Sequence, residues 1–371
     1  MKIGVPSEIK EQESRVGLTP ASVQELINHD HEVLIQKEAG FGAGFPNDDY
    51  KSAGGTIVGS AEDIFNDADM IVKVKEPLAN EVAMLREGQI LFTYLHLAAA
   101  PELTEGLIQS KAICIAYETV TDENNRLPLL APMSAVAGRM SIQAGAHCLE
   151  KPQGGRGLLI GGAPGVIPSS VLILGGGVVG ENAAIIATGM QAEVYVVDKS
   201  TPRLNQLKTK FGDSIIPLIS DEIKLKEYVT ECDLLIGSVL VPGANAPKLI
   251  SKEMIKSMKR GSVIVDVAID QGGCVETSKP TTHANPTYLV DDVVHYCVAN
   301  MPGGVPRTST LALNAATLPF IMKLAQLGHK DALLSDANFL EGLNICKGYV
   351  TYKAVANDLN YEYVPASKAL S

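Results

Sequence analysis

The sequence predicts an α/β protein built from two doubly wound, mainly parallel sheets, with the first domain discontinuous. Three observations carry this reading. Short β-branched runs alternate with helix-like stretches from the first residue; the alternation breaks off near residue 122 and resumes near residue 170; and the stretch after Pro306 is mostly helical. At 371 residues the chain is long enough for two ordinary cores.

In order, the first series of strand runs reads KIGVP, EVLIQ, TIVG, MIVKVK, ILFTYLH and AICIAYE, with a helix opening at Thr19-Pro20, a cap followed by proline at the first helical position. Runs apolar on both faces, separated by amphipathic helices, indicate parallel strands covered on both sides. A turn-rich break follows from Asp122 to Met133, then a small-residue helix from about Ser134 to Glu150, and glycine clusters at Gly154 to Gly157 and Gly161 to Val166. The second series reads SVLIL, EVYVVD, SIIPLI, DLLIGSV, SVIVDVAI and VHYCVAN. The tail has helical periodicity in STLALNAATLPFIMKLAQL and too few strands to stand alone, so it is expected to pack on the first domain. The expected domains are 1–128 with 306–371, and 129–305.

Composition removes several function classes. Hydrophobic residues make up 46% and charged ones 20%, which is globular usage. Lys and Arg total 31 against 42 Asp and Glu, a net charge of −11 that would repel a phosphate backbone or an anionic membrane. Neither nucleic acid nor membrane is expected as a partner. The longest apolar stretches, such as Ile90 to Ala100, are interrupted by Thr93, Tyr94 and His96 and fall short of the roughly 20 residues that span a bilayer. The charged opening MKIGVPSEIKEQES has no apolar leader, so a cytoplasmic location is expected. Six scattered cysteines without a CxxC pair read as buried free thiols, and seven histidines form no HExxH; no metal site is expected.

After SVLIL comes Gly175-Gly176-Gly177-Val178-Val179-Gly180, a GxGxxG that leads into the helix ENAAIIATGM. The first glycine makes the turn, the second lets backbone approach a pyrophosphate, the third lets helix and strand pack, and the helix N-terminus receives negative charge. The next strand ends in Asp198, where an acid meets the ribose 2′-hydroxyl of NAD and would oppose the 2′-phosphate of NADP. A Rossmann-like NAD domain is therefore expected. Lys199 and Arg203 stand nearby, either as solvated charges or, for Arg203, on the adenine ribose.

Chemistry in such sheets gathers at the carboxyl ends of strands. Those ends carry Arg15, Lys75 and His96 in the first series and Asp270 and Asn300 in the second. Singly, each has a plain structural reading: Arg15 in a solvated charged loop, Lys75 paired with Glu76, His96 capping a strand, Asp270 in a turn. Met133-Ser134 reads as a cap at the start of the small-residue helix. Together, beside a cofactor loop, they read as one site.

With these segments in hand, the chain resembles the bacterial L-alanine dehydrogenases over essentially its full length: MKIGVPSEIKEQESRVGLTP, KVKEP, LFTYLHLA, LAPMSAVAGR, the GGRG and PGV clusters, VLVPGA, DVAIDQGGC and CVANMPGGVPRTST follow in order. The resemblance implies that Arg15 and Lys75, with Asn300, bind substrate, and that His96 and Asp270 are the acid/base residues. It implies NAD contacts at Ser134, Gly175, Gly177, Val178, Val179, Gly180, Asp198, Arg203, Ser220, Val239, Leu240, Val267, Ile269, Asp270, Val298, Asn300 and Met301. It further implies a homohexamer and the reversible conversion of L-alanine, NAD and water into pyruvate, ammonium and NADH. Some members bind a divalent cation through a helix that here reads IMKLAQLGHK, with Lys323 and Leu327, and no metal is assigned. The rival readings are an NAD(H)-binding transhydrogenase-like component, a non-catalytic NAD-binding regulatory protein, and a dehydrogenase of a larger amino acid.

Overall fold

The computed structural model describes residues 1–239 and 246–371; Leu240, assigned above to NAD, lies outside them. The chain separates into two units, Met1–Met133 with Val305–Ser371, and Ser134–Gly304.

The first unit opens with β1 (Lys2–Val5), β2 (Glu32–Gln36), β3 (Thr56–Val58), β4 (Met70–Val72), β5 (Ile90–Thr93) and β6 (Ile113–Ala116). All pair in parallel in the spatial order β3-β2-β1-β4-β5-β6. The helix Pro20–Asn28 starts as expected, with Thr19 Oγ1 accepting from the Ser22 amide at 3.2 Å and Pro20 in its first turn. Expected strand runs are longer than the ladders. After Val72 and Thr93 only loose bonds persist, Lys73 N to the Phe92 carbonyl at 3.2 Å and Tyr94 N to the Val74 carbonyl at 3.3 Å. Lys75 and His96 therefore occupy loops beyond the strands rather than their last positions.

The second unit repeats the plan with β7 (Ser170–Leu174), β8 (Glu193–Asp198), β9 (Ile216–Ile219), β10 (Leu234–Gly237), β11 (Val263–Asp266), β12 (Thr287–Val290) and β13 (Val293–Tyr296). The order is β9-β8-β7-β10-β11-β13, all parallel, with β12 antiparallel on the edge. Both faces of β7 are covered. Val171 and Ile173 pack with Ala183, Ala184 and Ala187, while Leu172 and Leu174 pack with Leu225, Val229 and Ile255. SVIVDVAI does not run on as strand: the ladder ends at Asp266 and Val267–Gln271 is a 3₁₀ turn, so Asp270 is exposed on that turn. The small-residue helix is Ala131–Cys148, so Met133 and Ser134 lie within its first turns and do not precede it as a cap.

The tail supplies two strands that the sequence reading did not separate out. β14 (Leu343–Cys346) pairs antiparallel with β6, and β15 (Tyr349–Val350) with β14. Its long helix Pro306–Leu334 breaks at Gly328, φ 74°. By length and composition this helix would pass for a membrane span. Within the unit, however, its buried Asn314 accepts from Thr19 N at 2.9 Å and Ser22 Oγ at 2.6 Å and donates to the Gly17 carbonyl at 2.7 Å. All six cysteines are buried and unpaired.

Candidate active site

In each sheet the strand order reverses beside its first strand, at β1/β4 and at β7/β10, and ligands of such sheets bind at the loops leaving those strands. In the first unit these loops carry Arg15 and Lys75, and the loop after β5 carries His96.

Arg15 is not in a solvated loop. It is 3% exposed, its Nε and Nη2 donate to Glu13 Oε1 and Oε2 at 2.7 and 2.5 Å, and its Nη1 faces Met133 Sδ at 3.2 Å. Burial disfavours the guanidinium charge, but the Glu13 carboxylate more than offsets this and raises its pKa. Lys75 is half-buried; Glu76, its sequence neighbour, pairs with Lys10 instead. Among the described residues, no hydrogen-bond or ion-pair partner of the Lys75 ammonium is found. Its loop is held from beneath. Glu8 accepts from Val74 N at 2.6 Å and Lys75 N at 3.4 Å, and the fully buried Lys73 reaches Glu8 at 3.2 Å and Glu81 at 2.7 Å. Burial works against the Lys73 charge and the two carboxylates outweigh it, while burial pushes the Glu8 carboxyl up.

His96 adopts the left-handed conformation, φ 51°, and its side chain is half exposed. The Glu118 carboxylate holds this turn, accepting from Leu95 N at 3.1 Å and His96 N at 2.6 Å, with its Oε1 4.0 Å from His96 Nδ1. The imidazole stacks on Tyr94 with centroids 5.9 Å apart, and Tyr94 donates to the Leu129 carbonyl at 2.6 Å. Sequence reading missed Glu8, Glu13 and Glu118. Glu118 closes the run AICIAYE, an acid just past a strand, which is the signal that singled out the others.

In the second unit the glycine loop behaves as its motif requires. Gly175 has φ +98°, and a Cβ on Gly180 would stand 1.9 Å from the Gly175 carbonyl oxygen. A Cβ on Gly177 would meet nothing within 4 Å, so this face of the turn is open. Gly177 caps the helix Val178–Gly189 without any side-chain bond to the first amides. Asp198 sits beside the loop, Oδ2 accepting from Gly176 N at 2.7 Å and Oδ1 from Ser200 N at 2.8 Å. The open turn, the uncapped helix end and the fixed acid fit a dinucleotide. Ser238, not picked out from the sequence, donates to the carbonyls of Leu174 at 2.7 Å and Gly175 at 2.9 Å and so ties β10 to the loop.

Ser220 is exposed at the end of β9, its amide donating to the Asp198 carbonyl at 3.0 Å, and Val239 follows β10 half-buried. Ile269, Val298 and Met301 are buried, at 4%, 1% and 3% exposure, which leaves main chain as the group they offer a ligand; Val267 is half-buried. Asn300 has φ 63°, and its carbonyl accepts from Gly303 N at 2.9 Å and lies 3.1 Å from His283 Nε2. Beneath the 3₁₀ turn, the buried Asp266 accepts from Ser278 Oγ at 2.6 Å and Val275 N at 3.2 Å.

Residues 4–137 match the model of the alanine dehydrogenase/PNT N-terminal domain, and residues 141–353 that of the C-terminal domain. The chain belongs to the alanine dehydrogenase/PNT family. It is 58% identical to the alanine dehydrogenase of Halomonas elongata over 370 residues, covering 100% of both chains. It is 54% identical to that of Bacillus subtilis, covering 100% of this chain and 98% of the other. A solved L-alanine dehydrogenase superposes with a TM-score of 0.94 at 52% identity, over 97% of this chain and 99% of that one. A transhydrogenase from Sinorhizobium meliloti superposes at 0.83 with 22% identity, over 94% and 100%, which is a likeness of fold alone. The two matched models adjoin between residues 137 and 141, just past the division of the units after Met133, and the C-terminal model continues beyond Val305 into the first unit.

Proposed function

We propose that the protein is an NAD-dependent L-alanine dehydrogenase that interconverts L-alanine with pyruvate and ammonium. The observation that carries this reading is full-length kinship, above half identity, to alanine dehydrogenases. Bound NAD would supply the hydride acceptor for the oxidation of alanine. The glycine loop Gly175 to Gly180, the Val178–Gly189 helix end and Asp198 would hold it, with Ser134, Arg203, Ser220, Val239, Leu240, Val267, Ile269, Asp270, Val298, Asn300 and Met301 completing the contacts.

The substrate roles follow from charge and donor type. Arg15, locked by Glu13, offers a rigid cationic fork for the carboxylate. Lys75 polarises the oxygen at C2 and, with Asn300, orients it. His96 exchanges the proton of the carbinolamine, and Asp270 orients water. The protein works in the cytoplasm, a reading supported by six unpaired thiols. It assembles as a homohexamer, supported by Leu159, Val166 and Ile167, which are 69%, 59% and 87% exposed and would gain from a covering partner.

The test is NADH formation by the purified protein with L-alanine and NAD, beside D-alanine, serine, saccharopine and NADP, with light scattering for the assembly. Turnover specific to L-alanine with NAD is expected. Silence with L-alanine despite tight NADH binding would refute the activity. His96→Ala is expected to lower kcat by about 10²- to 10⁴-fold with NADH binding nearly intact; near-normal kcat would remove His96 from the chemistry.

A further inference from the structure

Arg203 is the cation best placed to undo a preference for NAD. It lies in the first turn of the helix Thr201–Phe211, directly after the strand that ends in Asp198, and its stem packs near Gly176. A guanidinium in that position would favour a 2′-phosphate by bidentate contact. Lys210, two turns further along the same helix, adds a second positive charge. A single carboxylate at Asp198 would then face two cations.

The structure shows where those cations are spent. Arg203 Nε donates to the Gly176 carbonyl at 2.6 Å and Nη1 to Gln206 at 3.2 Å, while Nη2 pairs with Glu181 Oε2. Lys210 pairs with the other oxygen, Glu181 Oε1. Glu181 stands in the first turn of the helix that follows the glycine loop, and it is 22% exposed. Burial opposes its ionisation, but hydrogen bonds from Lys210 and Arg203 prevail and hold its pKa below the usual carboxylate range. One side chain thus occupies both cations.

We propose that Glu181 is a second cofactor-specificity determinant, which acts by withholding Arg203 and Lys210 from a 2′-phosphate while Asp198 repels it directly. The proposal rests on the reading that Asp198 marks the adenosine-ribose end of the NAD site. Asp198 sets the repulsion; Glu181 removes the attraction that would offset it. Neither alone is then sufficient, and the preference is a difference between two opposed charge pairs.

The experiment measures binding of NADH and NADPH without substrate, by the change in fluorescence of the reduced nicotinamide and by calorimetry, for the intact chain, Glu181→Gln, Glu181→Ala, Asp198→Ala and the Glu181→Gln/Asp198→Ala pair. Glu181→Gln is expected to tighten NADPH by about five- to tenfold, as one released charge near a phosphate would do. NADH should change far less, and the NADPH gain should shrink as salt is raised. The paired variant should bind NADPH more tightly than either single variant. NADH binding and the unfolding midpoint report whether each variant is folded; if Glu181→Gln unfolds, Glu181→Ala decides. An unchanged NADPH affinity in a folded Glu181 variant, with a gain in Asp198→Ala, overturns the role of Glu181 and leaves the ribose assignment standing. No change in the NADPH-to-NADH ratio for Asp198→Ala as well overturns the assignment itself.

Discussion

The carboxyl ends of the two sheets share a strand order and a switch point, but they are furnished differently. The first unit stabilises its rim with carboxylates: Glu8 and Glu81 pair with the buried Lys73, and Glu118 accepts the amide of the His96 turn. The second uses contacts among neighbouring loops, glycine against carbonyl at Gly180 and backbone amides on Asp198. A small acid substrate needs fixed charges at fixed places, and charges stay fixed when desolvated and paired. A dinucleotide offers a long polyanion, and backbone amides at a helix end suffice to receive it.

The sharpest way to break this contrast lies in two lysines of one strand end. Lys73 is held between two buried carboxylates, and Lys75 is the group proposed to bind substrate. Lys75→Met is expected to lower kcat/KM by about 10²- to 10³-fold with an unchanged urea midpoint, since it removes only a polarising charge. Lys73→Met leaves Glu8 and Glu81 buried without their cation and is expected to lose about 3–5 kcal/mol of stability. Equal stability losses in both, read by urea unfolding, would erase the distinction.

The next test concerns the glycine loop, where two members of one motif should part. Gly180→Ala would force a methyl group to 1.9 Å from a carbonyl oxygen, so it is expected to cost about 1–3 kcal/mol or more. Gly177→Ala has open space and a negative φ of −65°, so the unfolding midpoint should hold. Its NADH affinity should nevertheless fall by about tenfold, because the added methyl stands where backbone must approach pyrophosphate. A stable Gly177→Ala that binds NADH as tightly as the parent would place the cofactor elsewhere.

This difference in furnishing also explains what the sequence disclosed. The glycine loop, its helix and Asp198 form one contiguous stretch whose spacing is the signal, so the cofactor side was legible. The parallel strands followed from the alternation of apolar runs, although β12, β14 and β15, short antiparallel edge strands, did not. Glu8 and Glu13 were hidden because EIKEQESR looks like any solvated charged loop, and burial is decided by tertiary partners such as Lys73 on Glu8 and Met133 on Arg15. Arg203 was visible as a nearby charge, but Glu181 was not visible as its partner. Lys75 and His96 were read as the last residues of strands that were drawn too long, because apolar composition continues past the last ladder bond.

The smallest expected effect is a pH dependence to which a buried histidine of the second unit contributes. His295, on β13, is fully buried, with Nε2 2.7 Å from Thr277 Oγ1 and Nδ1 3.0 Å from the Val293 carbonyl. The second contact needs a proton on Nδ1, so Nε2 accepts from the threonine hydroxyl. Burial lowers its pKa from 6.5; the Val293 bond and the charges of Asp266 and Asp291 oppose this, and Lys279 reinforces it. The folded state therefore binds its proton less readily than the unfolded one. Its contribution to stability is present above the unfolded value and is lost as pH falls through the folded one. His31 and His329, also lowered, act with the same sign. Urea midpoints taken at about pH 7.5 and 5.5 should thus decline with acidity. His295→Asn should lower both midpoints and narrow the gap between them. An undiminished gap would assign the acid sensitivity to the other histidines and to the paired carboxylates of the first unit.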